Sequence, residues 1–377
     1  MDRFPSIDDL ERRAKWRSPH FAWEYLSSGT GDESSMHRNR DEMLEVELRP
    51  QFCKGELNPV VETELFGVTH TAPIGIAPVG LSGLIWPGAD QICAKAAAAG
   101  RFPHVLSTVA TSSIEEIAPL AGDYGWFQLY PPRDDVMRNS LLDRVARAGY
   151  TTLVITADVP AGSRRERQRK ARLRVPPKIG PKLVFQALTH PQWSLSIARN
   201  GMPGFRTLEE YVDGDSLGQI AGFVGAQLGG TLSWDYLSQV RDRWDGQIIV
   251  KGILDPDDAE QCISIGADAV WVSNHGGRQL EAAPASINCL APVADQVAGR
   301  VPVIFDSGIR GGADVARAIA LGADFVFGGR AFYFGVTALG EPGAAHAFEI
   351  LKDGLVNVMH QTGAATLAEL RDRLVRD

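Results

Sequence analysis

The chain has 377 residues, 44% hydrophobic and 22% charged, which is enough apolar material for a large core and excludes a disordered chain. Its formal charge of −8 argues against nucleic acid as a main partner. The N-terminus has no signal-peptide core, and no apolar run reaches the ~18 residues of a membrane span, so we expect a cytoplasmic protein. The four cysteines lack CxxC spacing and no histidine pair has metal-ligand spacing, which predicts reduced thiols and no metal site.

Eight short apolar runs recur along the chain and are typical of strands buried on both faces of a parallel sheet. They are Ile74–Ala77, His104–Ser107, Trp126–Leu129, Leu153–Thr156, Ile248–Lys251, Ala269–Ser273, Val303–Asp306 and Phe325–Gly328. Helix-like stretches separate them, with N-terminal capping patterns at Ser113–Glu116 and Asp255–Pro256. Eight strand–helix units predict an α/β fold, the (β/α)8 TIM barrel. A doubly wound sheet is the alternative, but it does not need eight such units.

Two segments lie outside the repeating units. Residues 1–70 precede the first strand and are predicted to form a helical arm, with helices over Ser6–Trp16 and Pro19–Ser27. Residues 160–231 form a long insertion after the fourth strand. Because the loops that follow barrel strands lie over the active-site face, we expect this insertion to be a lid or a contact with a membrane or a partner. We treat residues 1–377 as one barrel domain.

Polar residues stand at the carboxyl ends of the predicted strands, where barrel enzymes hold their catalytic groups. They are Ser107, Thr108, Gln128, Tyr130, Thr156, Asp158, Lys251, Ser273, Asn274, His275, Asp306, Gly329 and Arg330. Consecutive strands that end in this way favour an active site over ordinary packing.

His275 is the strongest single candidate. It lies in SNHGGRQL directly after an apolar strand, and the two following glycines allow a tight turn of the backbone. A histidine there can act as a general base near neutral pH, with Asp158 as its expected carboxylate partner. The alternative is a buried histidine that is hydrogen-bonded to backbone.

Several basic residues suit anionic ligands. Lys251 ends a strand and is either a Schiff-base former or a cationic stabiliser. Arg165 and Arg278 suit a carboxylate substrate because each guanidinium can donate two parallel hydrogen bonds, although either could instead lie on the surface. The glycine- and arginine-rich turns at residues 306–312 and 328–330 predict a phosphate site.

These motifs resemble those of the FMN-dependent L-2-hydroxy acid oxidoreductases, the family of glycolate oxidase, L-lactate dehydrogenase and (S)-mandelate dehydrogenase. The resemblance runs from about residue 21 to the C-terminal region. Its most specific segments are SNHGGRQL (273–280), VKGIL (250–254), STVATSSIEEIA (107–118), WFQLY (126–130), SRRE (163–166), DSGIR (306–310) and GGR (328–330). It implies an FMN cofactor, oxidation of an (S)-2-hydroxy acid to the 2-oxo acid, and a homotetramer.

The resemblance also implies a role for each residue that matches the family's motifs. His275 would be the base at the substrate α-carbon and hydroxyl, and Asp158 would hold or stabilise its imidazolium. Lys251 would lie beside the flavin N1–C2 carbonyl and stabilise the negative charge of the reduced flavin. The other residues implied to contact FMN are Pro78, Val79, Gly80, Ser107, Gln128, Thr156, Ser273, Asp306, Gly308, Arg310, Gly329 and Arg330.

The same resemblance assigns the substrate contacts. Arg278 and Arg165 would bind the substrate carboxylate with help from Tyr25 of the arm, and Tyr130 would hydrogen-bond near the substrate hydroxyl. Val109 stands where glycolate oxidases carry a tryptophan, so a larger side chain fits. Together with Gly80 and the sequence of residues 306–308, it places the chain nearest the mandelate and lactate dehydrogenase branch.

These departures indicate a larger or aromatic substrate such as mandelate. Electrons would then pass to a quinone-type acceptor or to oxygen. A soluble 2-hydroxy acid oxidase that makes hydrogen peroxide is one alternative. A Schiff-base aldolase-type barrel that uses Lys251 and a non-catalytic flavin-storage barrel are two others.

The insertion carries a pattern that favours lipid surfaces. Residues 164–174 contain seven positive residues and one negative one, and Leu183–Ala198 is apolar with Phe185 and Trp193 as aromatic anchors. Basic clusters beside apolar and aromatic residues bind anionic lipid interfaces. The resemblance points the same way, because the mandelate and lactate dehydrogenases are membrane-associated through this loop. We therefore predict peripheral binding to the cytoplasmic membrane, with a solvated mobile lid as the alternative.

Overall fold

The computed structural model describes residues 3–171, 180–212, 222, 227–228 and 232–375. Eight parallel strands close into a barrel in the order β10-β3-β4-β5-β6-β7-β8-β9. Their bounds are β3 Ile74–Ile76, β4 His104–Ser107, β5 Gly125–Leu129, β6 Thr152–Thr156, β7 Gln247–Ile253, β8 Ala269–Val272, β9 Val303–Phe305 and β10 Phe325–Gly328. All eight predicted strands are present, and the predicted barrel is confirmed.

Helices surround the barrel. Those that follow the arm are α4 Ser82–Ile85, α5 Ala89–Gly100, α6 Ile114–Ala121, α7 Asp135–Arg147, α8 Glu166–Lys170, α9 Pro181–Thr189, α10 Pro191–Asn200, α11 Trp234–Arg243, α12 Pro256–Ser264, α13 Ser286–Val297, α14 Gly312–Ala320, α15 Arg330–Leu339, α16 Gly343–Thr362 and α17 Leu367–Arg371. Both predicted capping patterns are confirmed, since Ser113 and Glu116 form a capping box and the Asp255 side chain caps α12.

Some strands begin at other residues than the predicted apolar runs do, because backbone pairing and not hydrophobicity sets the strand boundaries. β6 and β7 pair from Thr152 opposite Gln247 to Thr156 opposite Lys251, so both strands begin before the apolar run does. This register places Thr156 and Lys251 side by side at the carboxyl end of the barrel. Two predicted site residues are thereby brought together by the sheet itself.

The N-terminal arm is only partly helical. Its helices are α1 Ile7–Arg17, α2 His20–Ser27 and α3 Ser34–Glu45, and the first two confirm the predicted pair. The expectation of a helical arm is wrong over residues 63–70, which form a hairpin of β1 Thr63–Leu65 and β2 Val68–His70. Strands of three residues are too short to show a periodicity. Leu65 and Phe66 pack on the residues of the barrel interior.

The barrel interior is filled by aromatic rings. Trp271 and Phe327 lie with their ring centroids 4.3 Å apart, and Trp126 and Phe325 pack against Phe327 at 5.3 and 5.5 Å. The interior is thus a packed core, and because the strands are parallel, the polar groups that follow them lie at one face of the barrel.

The described part of the insertion packs partly on α2 of the arm and on α4. Trp193 is 7% exposed, meets the ring of Phe21 edge-on at 5.6 Å, and donates its indole N–H to the Leu84 carbonyl. The prediction that Trp193 is a surface anchor is therefore wrong, because its ring is needed in the core, whereas Phe185 is 66% exposed. Residues 172–174 of the basic run lie outside the described residues. Among the described helices, none is long and apolar enough to cross a bilayer.

Candidate active site

A histidine–carboxylate pair lies at the centre of the barrel's carboxyl face. His275 Nδ1 is 2.8 Å from Asp158 Oδ1, so the expected partnership is present in the structure. This hydrogen bond assigns the proton to Nδ1 and leaves Nε2 as the basic nitrogen. His275 has a φ of +59°, followed by Gly276 and Gly277 at +64° and +72°. The backbone thus holds the imidazole through a left-handed turn that is sterically costly for a histidine.

The pair is electrostatically tuned. Burial lowers the pKa of His275 below its ordinary value of 6.5, against the opposing effect of Asp158, which raises it. Burial alone would raise the pKa of Asp158, but the charges of His275 and Lys251 hold it below its usual value. A neutral imidazole beside an ionised carboxylate is the arrangement that a general base requires at neutral pH.

Lys251 is held between carboxylates. Its Nζ donates to Ser273 Oγ at 2.7 Å and lies 3.1 Å from Asp306 Oδ2 and 3.8 Å from Asp158 Oδ2. Lys251 thus forms ion pairs with two carboxylates, whereas a Schiff-base lysine reacts as the neutral amine. The geometry therefore argues against the aldolase alternative and suits a fixed cationic stabiliser.

A row of buried polar side chains joins three neighbouring strands. Ser107 Oγ donates to Gln128 Oε1 at 2.8 Å, and Gln128 Nε2 donates to Thr156 Oγ1 at 2.9 Å. Beside this row, burial and the charge of Asp158 raise the pKa of Tyr130, so its phenol stays protonated as a hydrogen-bond donor. These side chains offer fixed donors and acceptors to a polar ligand.

Two arginines meet on one side of the cavity. Arg278 lies over the Tyr25 ring, 5.4 Å from its centroid, and one of its nitrogens donates to the Tyr25 and Ser28 carbonyls at 2.9 and 3.0 Å. Arg165 Nη2 donates to Gln279 Oε1 at 3.1 Å. Burial, together with the charge of Arg165, lowers the pKa of Arg278 to about 10. Two neighbouring cations of this kind are stabilised when a carboxylate binds between them.

Two further arginines lie at the turns predicted to bind phosphate. Burial, and repulsion from Arg278 and Arg310, lower the pKa of Arg330 well below its usual value. Burial likewise lowers the pKa of Arg310. Arg330 is fixed by donating to the Leu26, Gly276 and Ser28 carbonyls at distances from 2.8 to 3.1 Å. A phosphate would offset this concentration of buried positive charge, so the donor set fits the phosphate of FMN.

One cleft unites these groups. It has about 1330 Å³ of empty space and opens to solvent. The predicted site residues that line it are Tyr25, Pro78, Val79, Gly80, Tyr130, Thr156, Arg165, Lys251, His275, Arg278, Asp306, Gly308, Arg310, Gly329 and Arg330. Four other predicted site residues, Ser107, Gln128, Asp158 and Ser273, do not line the cleft. Each of them is hydrogen-bonded to a residue that does line it.

Some residues that shape the site escaped the sequence analysis. Asn39 of α3 exchanges two amide hydrogen bonds with Asn274, at 2.7 and 2.8 Å, and so holds the turn that carries His275. Gly252 has a φ of +107°, and a Cβ there would come within 2.5 Å of Asp158 Cβ. Leu228 lines the cleft from the insertion, at a bridge with Pro132. Of these three residues, only Gly252 stands in a motif, VKGIL, from which its position in the site could have been predicted. Asn39 and Leu228 stand in no motif.

Comparison with known proteins gives a consistent result. The family model described as FMN-dependent dehydrogenase matches residues 14–377. The chain is 38% identical over 373 residues to an L-lactate dehydrogenase of Ectopseudomonas mendocina, covering 98% of each chain. Its structure is similar to that of an (S)-mandelate dehydrogenase described as a monotopic membrane protein, with a TM-score of 0.92, 34% identity and 99% of each chain covered. A mandelate oxidase variant with (S)-mandelic acid gives a TM-score of 0.83 at 29% identity, covering 98% of this chain and 97% of the other.

Proposed function

Because the chain belongs to the FMN-dependent dehydrogenase family and oxidises 2-hydroxy acids with FMN, we propose that its substrate is an (S)-2-hydroxy acid with a large or aromatic side chain, such as mandelate. The observation that carries this choice is the small size of two facing residues on the cleft wall. Gly80 has no side chain and packs directly against Val109, since a Cβ at Gly80 would lie only 2.5 Å from Val109 Cγ2. Neither residue therefore projects a bulky group into the cleft that both line. Val79, Val159 and Leu228 complete an apolar lining that suits a phenyl ring.

We assign the substrate's polar groups to residues whose chemistry matches them. Arg278 and Arg165 bind the carboxylate through charge-assisted hydrogen bonds. The Tyr130 phenol donates to the substrate oxygen at the reacting carbon. His275 Nε2 takes a proton from the substrate, and Asp158 stabilises the imidazolium that forms. Each of these side chains except Asp158 lines the cleft, which supports the assignment.

We assign FMN to the rest of the cleft. Arg310 and Arg330, with the turns at Gly308 and Gly329, would hold its phosphate, and Lys251 would lie at its ring. When bound, FMN accepts the two electrons that oxidation of the hydroxy acid releases. Asp158 lies close to both Lys251 and His275. The positive charge of Lys251 is therefore at the same end of the cleft as His275.

The substrate proposal is tested by anaerobic bleaching of the flavin. Purified holoenzyme is mixed with (S)-mandelate, L-lactate, glycolate and a longer aliphatic 2-hydroxy acid, and the reduction rate is measured at each concentration. We expect the highest ratio of rate to dissociation constant with (S)-mandelate. Faster and tighter reaction with L-lactate would overturn the size argument and leave a lactate dehydrogenase, as in the relatives with that name.

We further propose that the insertion contacts a membrane surface and that a quinone-type molecule accepts the electrons. The support comes from exposed apolar and cationic side chains of the insertion. Apolar side chains of α9 and α10 are exposed at Val184, Phe185, Leu188 and Leu195. Cationic side chains at Arg164, Arg169 and Lys170 precede them. Apolar groups beside cations suit anionic lipid headgroups, and the structurally similar (S)-mandelate dehydrogenase is described as monotopic.

Vesicle flotation tests this second proposal. We expect the protein to float with anionic vesicles at low salt. It should be released at high salt, because the Debye length falls to ~3 Å near 1 M salt and screens the attraction between the basic residues and the lipid headgroups. Phe185→Ser with Leu188→Ser should weaken flotation without slowing flavin reduction. Turnover with a soluble quinone analogue should exceed turnover with oxygen. No flotation, with oxygen as the faster acceptor, would leave a soluble oxidase.

A further inference from the structure

Arg167, in the first helix of the insertion, makes the most extensive ion-pair contacts near the cleft. Its Nε and Nη2 donate to the two carboxylate oxygens of Glu24 at 2.7 and 3.0 Å. Its Nη1 donates to both carboxylate oxygens of Glu33 at 2.9 and 3.1 Å. Both glutamates are buried, and the arginine side chain is 35% exposed. Paired, partly desolvated contacts of this kind fix geometry far better than an exposed ion pair does.

The residues on either side of Arg167 contact the same part of the arm. Glu166 Oε2 accepts the Gly31 backbone N–H at 2.9 Å. Gln168 Nε2 donates to Ser28 Oγ at 3.1 Å. Three consecutive side chains of α8 therefore bind residues 24–33 of the arm, a segment that runs from the end of α2 to the start of α3.

Residues 24–33 also contact the part of the cleft that is proposed to bind the substrate, at Gly80 and Arg278. Tyr25 lines the cleft and donates its hydroxyl to the Gly80 carbonyl at 2.9 Å. The carbonyls of Tyr25 and Ser28 accept hydrogen bonds from Arg278. Arg165 stands two positions before Arg167 at the start of α8, in a left-handed conformation with a φ of +44°. The two arginines of the proposed carboxylate site thus reach the same arm segment, Arg278 directly and Arg165 through α8.

We propose that Arg167 is a positioning residue for substrate binding: by locking α8 to Glu24 and Glu33, it sets the distance between Arg165 and Arg278. This inference rests on the proposed assignment of those two arginines to the substrate carboxylate. Arg167 itself is not among the residues that line the cleft, so it acts through Arg165 and the arm. Loss of the lock would let the arginine pair separate and would weaken their parallel hydrogen bonds to the carboxylate, and a misplacement of about 1 Å costs up to ~10²-fold in rate.

The test compares Arg167→Gln and Arg167→Lys with the wild-type holoenzyme by anaerobic stopped-flow flavin reduction. We expect Arg167→Gln to raise the substrate dissociation constant by at least about tenfold, while the limiting reduction rate falls much less. Arg167→Lys should recover only part of the affinity, because an ammonium keeps the charge but cannot bond two carboxylates in parallel. Arg147→Gln is the matched control, since that exposed arginine contacts only the Asp143 carbonyl among the described residues.

A purely structural role would give a different pattern. It would lower the melting temperature and the FMN content of Arg167→Gln, with an unchanged dissociation constant in the folded fraction, and that result overturns the proposal. If Arg167→Gln does not fold, Glu24→Gln and Glu33→Gln each remove one carboxylate and should raise the dissociation constant in the same direction. Binding of the 2-oxo acid product, followed by the flavin spectrum, gives the comparison without turnover. Failure of the wild type to react with any 2-hydroxy acid would instead contradict the proposed function.

Discussion

His275 Nδ1 and Asp158 Oδ1 lie 2.8 Å apart, although 117 positions separate the two residues in the chain. The barrel brings them together because the loops after β6 and β8 both rise from the carboxyl face, two strands apart. Their contact fixes which imidazole nitrogen is basic.

Substitution His275→Asn should remove the proposed base while leaving the FMN contacts in place. We expect flavin reduction by the best substrate to slow by ~10²–10⁴-fold, the usual contribution of general acid–base catalysis. Stopped-flow reduction measures the rate, and the visible spectrum of the purified variant measures the FMN content. Reduction at a near-normal rate would refute the assignment of His275.

The pH dependence follows from the lowered pKa of His275. The base must be neutral, so kcat/KM should fall as the pH drops through this pKa, and the acid limb should lie below pH 6.5. Because the Asp158 charge raises that pKa, Asp158→Asn should move the limb to lower pH and reduce kcat/KM on the plateau. A limb above pH 6.5, or one that moves upward in the variant, would contradict this electrostatic account.

Arg278→Lys tests the carboxylate site. The lysine keeps the positive charge but loses the planar guanidinium and its hydrogen bonds to the Tyr25 and Ser28 carbonyls. We expect a weaker substrate dissociation constant by about tenfold or more, with FMN retained. Arg165→Met should weaken binding in the same way, and unchanged KM and kcat in that variant would place Arg165 outside the substrate site.

Val109→Phe tests the size of the substrate pocket. The larger ring would extend from position 109 into the cleft, so kcat/KM for mandelate should fall by ~10–200-fold relative to kcat/KM for glycolate. The change in this ratio is the readout, because it cancels any general loss of active enzyme. An unchanged ratio would mean that the substrate side chain does not lie against Val109.

Trp193→Ala and Phe185→Ser should differ sharply in stability. Trp193 is buried against Phe21, so truncation should lower the free energy of unfolding by ~3–5 kcal/mol. Phe185 is exposed, and its replacement should change that free energy by no more than ~0.5 kcal/mol. Thermal or denaturant melts of both holoenzyme variants measure the difference, and an equal loss in the two would contradict the packing of α10 on α2 and α4.

The sequence by itself determined the barrel and most of the residues at its carboxyl face. Strands buried on both faces are continuous apolar runs, and each polar residue that follows such a run must lie at the same end of a parallel barrel. The positions of His275, Lys251 and Asp306 follow from this rule, and their motifs resemble one family closely enough to indicate the cofactor.

Only the tertiary structure decided which side chains meet across the chain. Asn39, Glu24 and Glu33 stand in an arm without recognisable motifs, yet they hold the turn of His275 and the helix of Arg167. The basic run at residues 164–174 predicts contact with an anionic lipid surface, but Arg167 within it is committed to two buried carboxylates. Trp193 is likewise predicted to be an exposed anchor, but it is buried in the structure. Local composition records charge and hydrophobicity, whereas these contacts depend on which distant segment packs opposite, and a local sequence pattern does not reveal that partner.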